Sequence, residues 1–145
     1  MEYLIGIILA LGVCTFALLT GFDRDRVFYS TMVIVVAHYY ILFATIGATT
    51  RVLLSESLAA AIFIVLSIVG FKKTLWIIAA ALASHGVFDF FHHALIQDPG
   101  VPIWWPGFCM SFDVFAAAFL ALLLLRRPGT SRSVIQVPQG LDSKT

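Results

Sequence analysis

Apolar and polar positions divide this chain into five long hydrophobic segments separated by short polar turns. Each segment is about 20 residues long, which is the length that an α-helix needs to cross the hydrocarbon core of a bilayer. The segments cover residues 3–21, 27–47, 52–71, 74–95 and 106–125. The stretch 97–102 between the last two contains prolines and a glycine and cannot be helical throughout. The pattern predicts one membrane-embedded helical domain over residues 1–127 and a polar, flexible cytoplasmic tail over 128–145.

The composition excludes most soluble proteins. Hydrophobic residues make up 61% of the chain and charged residues 12%, whereas soluble domains are nearer half apolar and a quarter charged. The formal net charge is +1, which removes the electrostatic basis for nucleic-acid binding. We therefore expect an integral membrane protein whose first partners are membrane lipids.

The basic residues predict the orientation of the helices. If the five spans alternate in direction, eight of the nine lysines and arginines lie on one side of the membrane, and only Arg51 lies on the other. The eight are Arg24, Arg26, Lys72, Lys73, Arg126, Arg127, Arg132 and Lys144. Short basic loops stay in the cytoplasm. The fold class predicted is thus an all-α, polytopic bundle of five transmembrane helices, with its N-terminus outside and its C-terminus inside.

Eight histidine, acidic or cysteine side chains lie within the second to fifth predicted spans, where ionisable groups are energetically costly and indicate a function. They are His38, Glu56, His85, Asp89, His92, His93, Cys109 and Asp113. At about 1.5 Å of rise per residue, His38 and His85 both lie roughly 15 Å below the outer ends of their spans. All eight fall in the outer half of the bilayer. This agreement in depth predicts that several helices contribute to one polar site.

Four of these side chains form a polar face on the fourth span. At about 100° per residue, Asp89 and His92 lie within about 40° of His85, and His93 lies about 80° away. Imidazole and carboxylate groups are the ligands of zinc, iron and manganese. The pattern predicts a divalent metal site formed by these four residues.

Asp113 and Glu56 are the predicted catalytic groups, as acid/base residues or bridging ligands. A buried Asp113 needs a partner, for which His85, His92 and Arg51 are candidates. Glu56 has an alternative interpretation as a residue at a helix start, where a carboxylate favours the positive end of the helix.

The second span carries a polar stripe in which Thr31, His38 and Thr45 recur every seven residues, a spacing that predicts a face directed into the bundle. His38 then either makes hydrogen bonds between helices or pairs with His85, at matched depth, as an axial ligand of a haem. Four aromatic residues are predicted to anchor the outer interface. They are Tyr39, Tyr40, Trp104 and Trp105.

Three segments, residues 23–29, 85–93 and 99–113, resemble signatures of a family of small bacterial integral-membrane proteins of unknown function. The resemblance implies a small helical protein of the bacterial cytoplasmic membrane in which these segments matter. It implies no activity, cofactor or catalytic residue.

Three functions fit this pattern. The first is a metal-dependent membrane enzyme, hydrolytic or oxidative, that acts on a lipidic or amphiphilic substrate. The second is an accessory or haem-binding subunit of a larger membrane complex or homo-oligomer, and the third is proton or metal-ion transport. Because the polar groups stop at mid-membrane, the pattern favours an outward-opening pocket over a conduit, and with it the first function.

Overall fold

The computed structural model describes residues 1–126, which form five α-helices joined by short turns and contain no strand. The helices are α1 (Glu2–Thr20), α2 (Arg26–Gly47), α3 (Thr50–Lys72), α4 (Leu75–Leu95) and α5 (Trp105–Arg126). The first and last residues of each helix lie within two residues of the ends of the corresponding predicted segment. All five are long and apolar enough to cross a membrane. The predicted polar tail, residues 128–145, lies outside the described residues.

The turn between α1 and α2 is tight because its residues suit it. Gly21 ends α1 with a φ of 82°, a left-handed conformation that glycine adopts without a Cβ clash. A single turn of 3-10 helix, Phe22–Arg24, follows. The Asp25 carboxylate then accepts a hydrogen bond from the Val27 N–H at 3.0 Å and caps the start of α2.

The helices pack in an order that differs from their order in the chain. α1 packs against α5, α5 against α4, and α4 against both α2 and α3, which also pack against each other. Within the described part of the chain, α1 and α2 make no extensive contact in spite of the tight turn that joins them. α4 is the central helix, because it packs against three of the other four.

The exterior of the bundle is apolar, whereas its interior contains ionisable groups. On α3, for example, Ile62 and Val65 are 55% and 58% exposed, but Glu56 is buried. This distribution is the reverse of that in a soluble protein. It is the distribution expected when lipid surrounds the helices, and it supports the assignment as an integral membrane protein.

The connection between α4 and α5, residues 96–104, closes one end of the bundle. Within it, Asp98 Oδ1 accepts a hydrogen bond from the Gly100 N–H at 2.8 Å. Gly100 lies against the main-chain carbonyl of Phe43 on α2, where a Cβ would not fit. The connection is therefore packed directly onto the end of α2.

Candidate functional site

The centre of the site is an imidazole between two carboxylates, where α4 meets α5. His85 Nδ1 lies 2.6 Å from Asp113 Oδ2 and 3.3 Å from Asp89 Oδ2. His85 and Asp89 meet because residues four apart share a face of a helix. The three side chains are at most 1% exposed, and one possible ligand atom from each lies within 4.8 Å of the others. Of the three partners predicted for Asp113, the structure places His85 beside it.

The direct contact between α4 and α5 depends on Gly86. A Cβ at this position would lie 2.9 Å from Val114 Cγ2 and 3.1 Å from the main-chain oxygen of Met110. Glycine therefore allows the two helices to approach closely next to His85. This proximity lets the imidazole hydrogen-bond directly to Asp113 across the helix interface.

A second acid–imidazole pair joins α3 to α4. His92 Nε2 lies 2.7 Å from Glu56 Oε1, and both side chains are fully buried. Glu56 is the seventh residue of α3, well beyond the first turn, so its interpretation as a residue at a helix start is wrong. His92 was predicted to bind metal together with His85, but the structure pairs it with Glu56.

Tyr40, on α2, links the two pairs. Its hydroxyl donates a hydrogen bond to Asp89 Oδ1 at 2.7 Å, and its ring stacks on His92 with a centroid distance of 4.1 Å. Side chains from four helices thus form one continuous buried arrangement, which we call the His/Asp network. Its members are Tyr40, Glu56, His85, Asp89, His92 and Asp113.

Aromatic rings enclose the His/Asp network. Phe63 of α3 packs edge-on against His85 with a centroid distance of 4.6 Å. Phe88 of α4 packs edge-on against Tyr40 and His92 at 6.0 and 5.6 Å. These rings exclude solvent, and electrostatic interactions between the enclosed groups are stronger in such a low-dielectric environment than in water.

The network contains three carboxyl groups and two imidazoles but no lysine or arginine. Throughout residues 1–126, no lysine or arginine is buried. Three ionised carboxylates in the interior would be costly without a counter-charge, which must come from protonated imidazoles or from a bound cation. Among the residues described, no hydrogen-bond partner reaches Asp113 Oδ1 or Glu56 Oε2, so both atoms are available as acceptors or ligands.

Two predicted residues, His38 and His93, lie outside the network and are exposed. His38 Nδ1 lies 2.7 Å from a carbonyl oxygen one turn earlier in α2. The prediction that the stripe of Thr31, His38 and Thr45 faces into the bundle is wrong, because all three are exposed. The physical reason is that such side chains satisfy their polar atoms on their own helix, as the Thr45 hydroxyl does on the Leu42 carbonyl.

Tyr40 is the network residue that the sequence analysis missed. It was predicted, with Tyr39, to anchor the membrane interface, but it is 1% exposed. The available signal was the spacing of bulky apolar residues along α2, where Tyr29, Val33, Val36 and Tyr40 follow one another at intervals of three and four and are all buried. That spacing marks one face of a helix.

The comparisons with known proteins returned no relatives. No protein-family model matches the chain, and no curated protein or solved structure matches it either. The resemblance to a family of small bacterial membrane proteins therefore stays a prediction.

Proposed function

We propose that this chain is an integral membrane enzyme that uses a divalent metal ion, held by His85, Asp89 and Asp113, to act on a lipidic or amphiphilic substrate. The observation that carries the proposal is the convergence of one ligand atom from each residue within 4.8 Å, with all three side chains buried. Zinc, iron and manganese bind such nitrogen and oxygen ligands. A haem between His38 and His85 receives no support from the packing, because His38 is exposed.

A small cation between these groups requires the ligand atoms to rearrange. Zinc lies about 2.0–2.2 Å from nitrogen and oxygen ligands, so two ligands of one ion are at most about 4.4 Å apart, and about 3.3 Å apart in a tetrahedral site. The three groups lie within 4.8 Å of one another, and His85 Nδ1 and Asp113 Oδ2, at 2.6 Å, would have to move apart and give up the proton between them. The ion would also supply the positive charge that no buried lysine or arginine provides.

The rest of the network and its surroundings fit chemistry inside a bilayer. A bound ion of this kind supplies Lewis acidity and a more acidic water. The Glu56–His92 pair can hold a proton, and the Tyr40 ring, which stacks on His92, places this pair next to Asp89. Because aromatic rings and lipid surround the network, a compound dissolved in the membrane reaches it more easily than a polar solute does. This favours a lipidic substrate.

The metal content of the purified protein tests this proposal. We expect near-stoichiometric zinc, iron or manganese by mass spectrometry in the wild type. We expect background levels in His85→Ala and in the isosteric Asp113→Asn, because each variant removes one of three ligands. His38→Ala is the matched control, since it removes an exposed histidine. Unchanged metal in the two network variants, or an equal loss in the control, would contradict the site.

A second candidate is a non-enzymatic accessory subunit in which the network only holds the helices together. The observation that favours it is that each buried imidazole and carboxyl group already has one partner within the network: His85 bonds to Asp113, Tyr40 to Asp89, and His92 to Glu56. A folded wild type that carries no metal, and that co-purifies with other membrane proteins, would favour this function over the enzyme.

We also propose that the protein lies in a bacterial cytoplasmic membrane with its N-terminus outside and its C-terminus in the cytoplasm. The asymmetry of the basic residues supports this orientation. A C-terminal fusion to alkaline phosphatase is expected to be inactive, and the same fusion to a green fluorescent protein is expected to fluoresce. The reverse pattern would show that the orientation is inverted.

A further inference from the structure

A long groove of about 1050 Å³ lies between α1 and α2, and α5 forms its floor. It arises because α1 packs on α5 whereas α2 packs on α3 and α4, so two helices adjacent in the chain stay apart beyond their turn. The lining runs from Glu2 at one end to Asp25 at the other. Within the described residues, the lining between these ends is apolar or aromatic except for Thr31 and Cys109.

One end of this groove is closed by aromatic contacts, and one long side is open. The Trp105 ring packs against Tyr39 and Phe43 of α2, with centroid distances of 5.0 and 4.9 Å, and this joins α5 to α2 at that end. Lining residues on the facing helices are half-exposed, with Leu9 and Val35 both at 46%. The groove therefore opens sideways between α1 and α2, toward the surrounding lipid.

The length of the groove suits a hydrocarbon chain. α1 has 19 residues and is about 28 Å long, and the groove extends along it between Glu2 and Asp25. A flexible chain of methylene groups can follow an apolar lining of this length.

We propose that this groove binds the hydrocarbon chain of a membrane lipid, and that such a lipid is the substrate of the enzyme; this second part rests on the proposed function. The occupant has to be long and apolar along most of its length. It must also enter from the bilayer, because the groove opens there. A lipid chain meets each of these requirements.

The position of the groove connects it to the His/Asp network on two helices. On α5, Cys109 lies in the groove floor and Asp113, four residues later, belongs to the network. On α2, Val36 lines the groove and Tyr40, again four residues later, belongs to the network. Residues four apart share a helix face about one turn, or 5.4 Å, apart. A chain in the groove therefore lies about one helical turn from Asp113, one of the three proposed metal ligands, although no residue of the His/Asp network lines the groove itself.

Photolabelling tests this inference. The full chain is reconstituted in phosphatidylethanolamine and phosphatidylglycerol vesicles that contain a trace of phosphatidylethanolamine with a diazirine midway along one acyl chain. We expect severalfold more label on groove residues such as Leu9 than on the exterior of α3 around Ile62. Val35→Trp, which fills the groove, should reduce the groove label severalfold. Val65→Trp is the matched control, because Val65 is similarly exposed on α3, and it should leave the label unchanged.

The outcomes separate this inference from the proposed function. Equal labelling of the groove and the α3 exterior, or a groove label that survives Val35→Trp, would overturn the lipid site. Absence of groove label, together with chemical crosslinks between the grooves of two chains, would assign the groove to a second copy and overturn it too. Metal content is measured on the same samples. Groove label in a protein without bound metal would support the lipid site and contradict the proposed metal-dependent enzyme.

Discussion

Replacing Asp113 with alanine is expected to lower the free energy of unfolding by about 3–5 kcal/mol, which is the usual effect of removing one partner of a buried ion pair. The variant leaves His85, which is 1% exposed, without its closest partner. The measurement is reversible unfolding in mixed detergent micelles. Glu2→Ala is the control, because Glu2 pairs with the N-terminus at the surface, and such exposed pairs contribute less than about 1 kcal/mol.

A double-mutant cycle shows whether this loss comes from the pair itself. In His85→Leu/Asp113→Leu both polar groups are replaced by apolar ones, so neither member of this pair is left buried without the other, and Asp89 keeps its hydrogen bond from Tyr40. We expect the double variant to be more stable than the sum of the two single losses predicts, by about 0.5–3 kcal/mol, which is the range for residues in contact. Strictly additive losses would show that the two side chains are not coupled.

Replacing Gly6 with alanine is expected to lower the free energy of unfolding by about 1–3 kcal/mol, the range for overpacking in a tight interface. A Cβ at Gly6 would overlap the Ser111 hydroxyl and the Phe108 carbonyl oxygen on α5. A main-chain carbonyl cannot rotate away, so α1 would have to shift from α5. The measurement is the same detergent unfolding assay.

The same helix offers a matched control for this substitution. Gly12, also in α1, has nothing within 4 Å of the position that a Cβ would take. Gly12→Ala should be neutral or stabilising by up to about 1 kcal/mol, because alanine is the better helix former. If Gly6→Ala proved as stable as Gly12→Ala, the close packing of α1 on α5 would be wrong. In that case the groove between α1 and α2 would lose its structural basis.

The helices could be predicted from the sequence because the length and hydropathy of a span are local properties. The adjacency of His85 and Asp89 was also predictable, since it depends only on spacing within one helix. Asp113 could be given three candidate partners but no choice among them. That choice depends on the contact between α4 and α5, which Gly86 permits and which no local pattern reports.

The remaining features depend on which face of each helix is packed. A membrane-spanning helix is apolar both toward lipid and toward its neighbours, so the contrast that marks the buried face of a soluble helix is weak. For this reason the polar stripe containing His38 was wrongly placed inside the bundle and Tyr40 at the interface. The pairing of Glu56 with His92 was missed for the same reason, because it requires the relative rotation of α3 and α4.

The distribution of the network over the helices has a consequence for biogenesis, because a chain made at the ribosome enters the membrane from its N-terminus. Glu56 and Tyr40 precede α4 in the chain, so His92 and Asp89 find their partners as soon as α4 is inserted. Asp113 follows His85 by 28 residues, so that pair has to wait for α5. Until then His85 lacks its closest carboxylate in the nascent four-helix intermediate. Completion of the last helix is therefore the step that gives His85 its closest carboxylate and joins all four helices of the network.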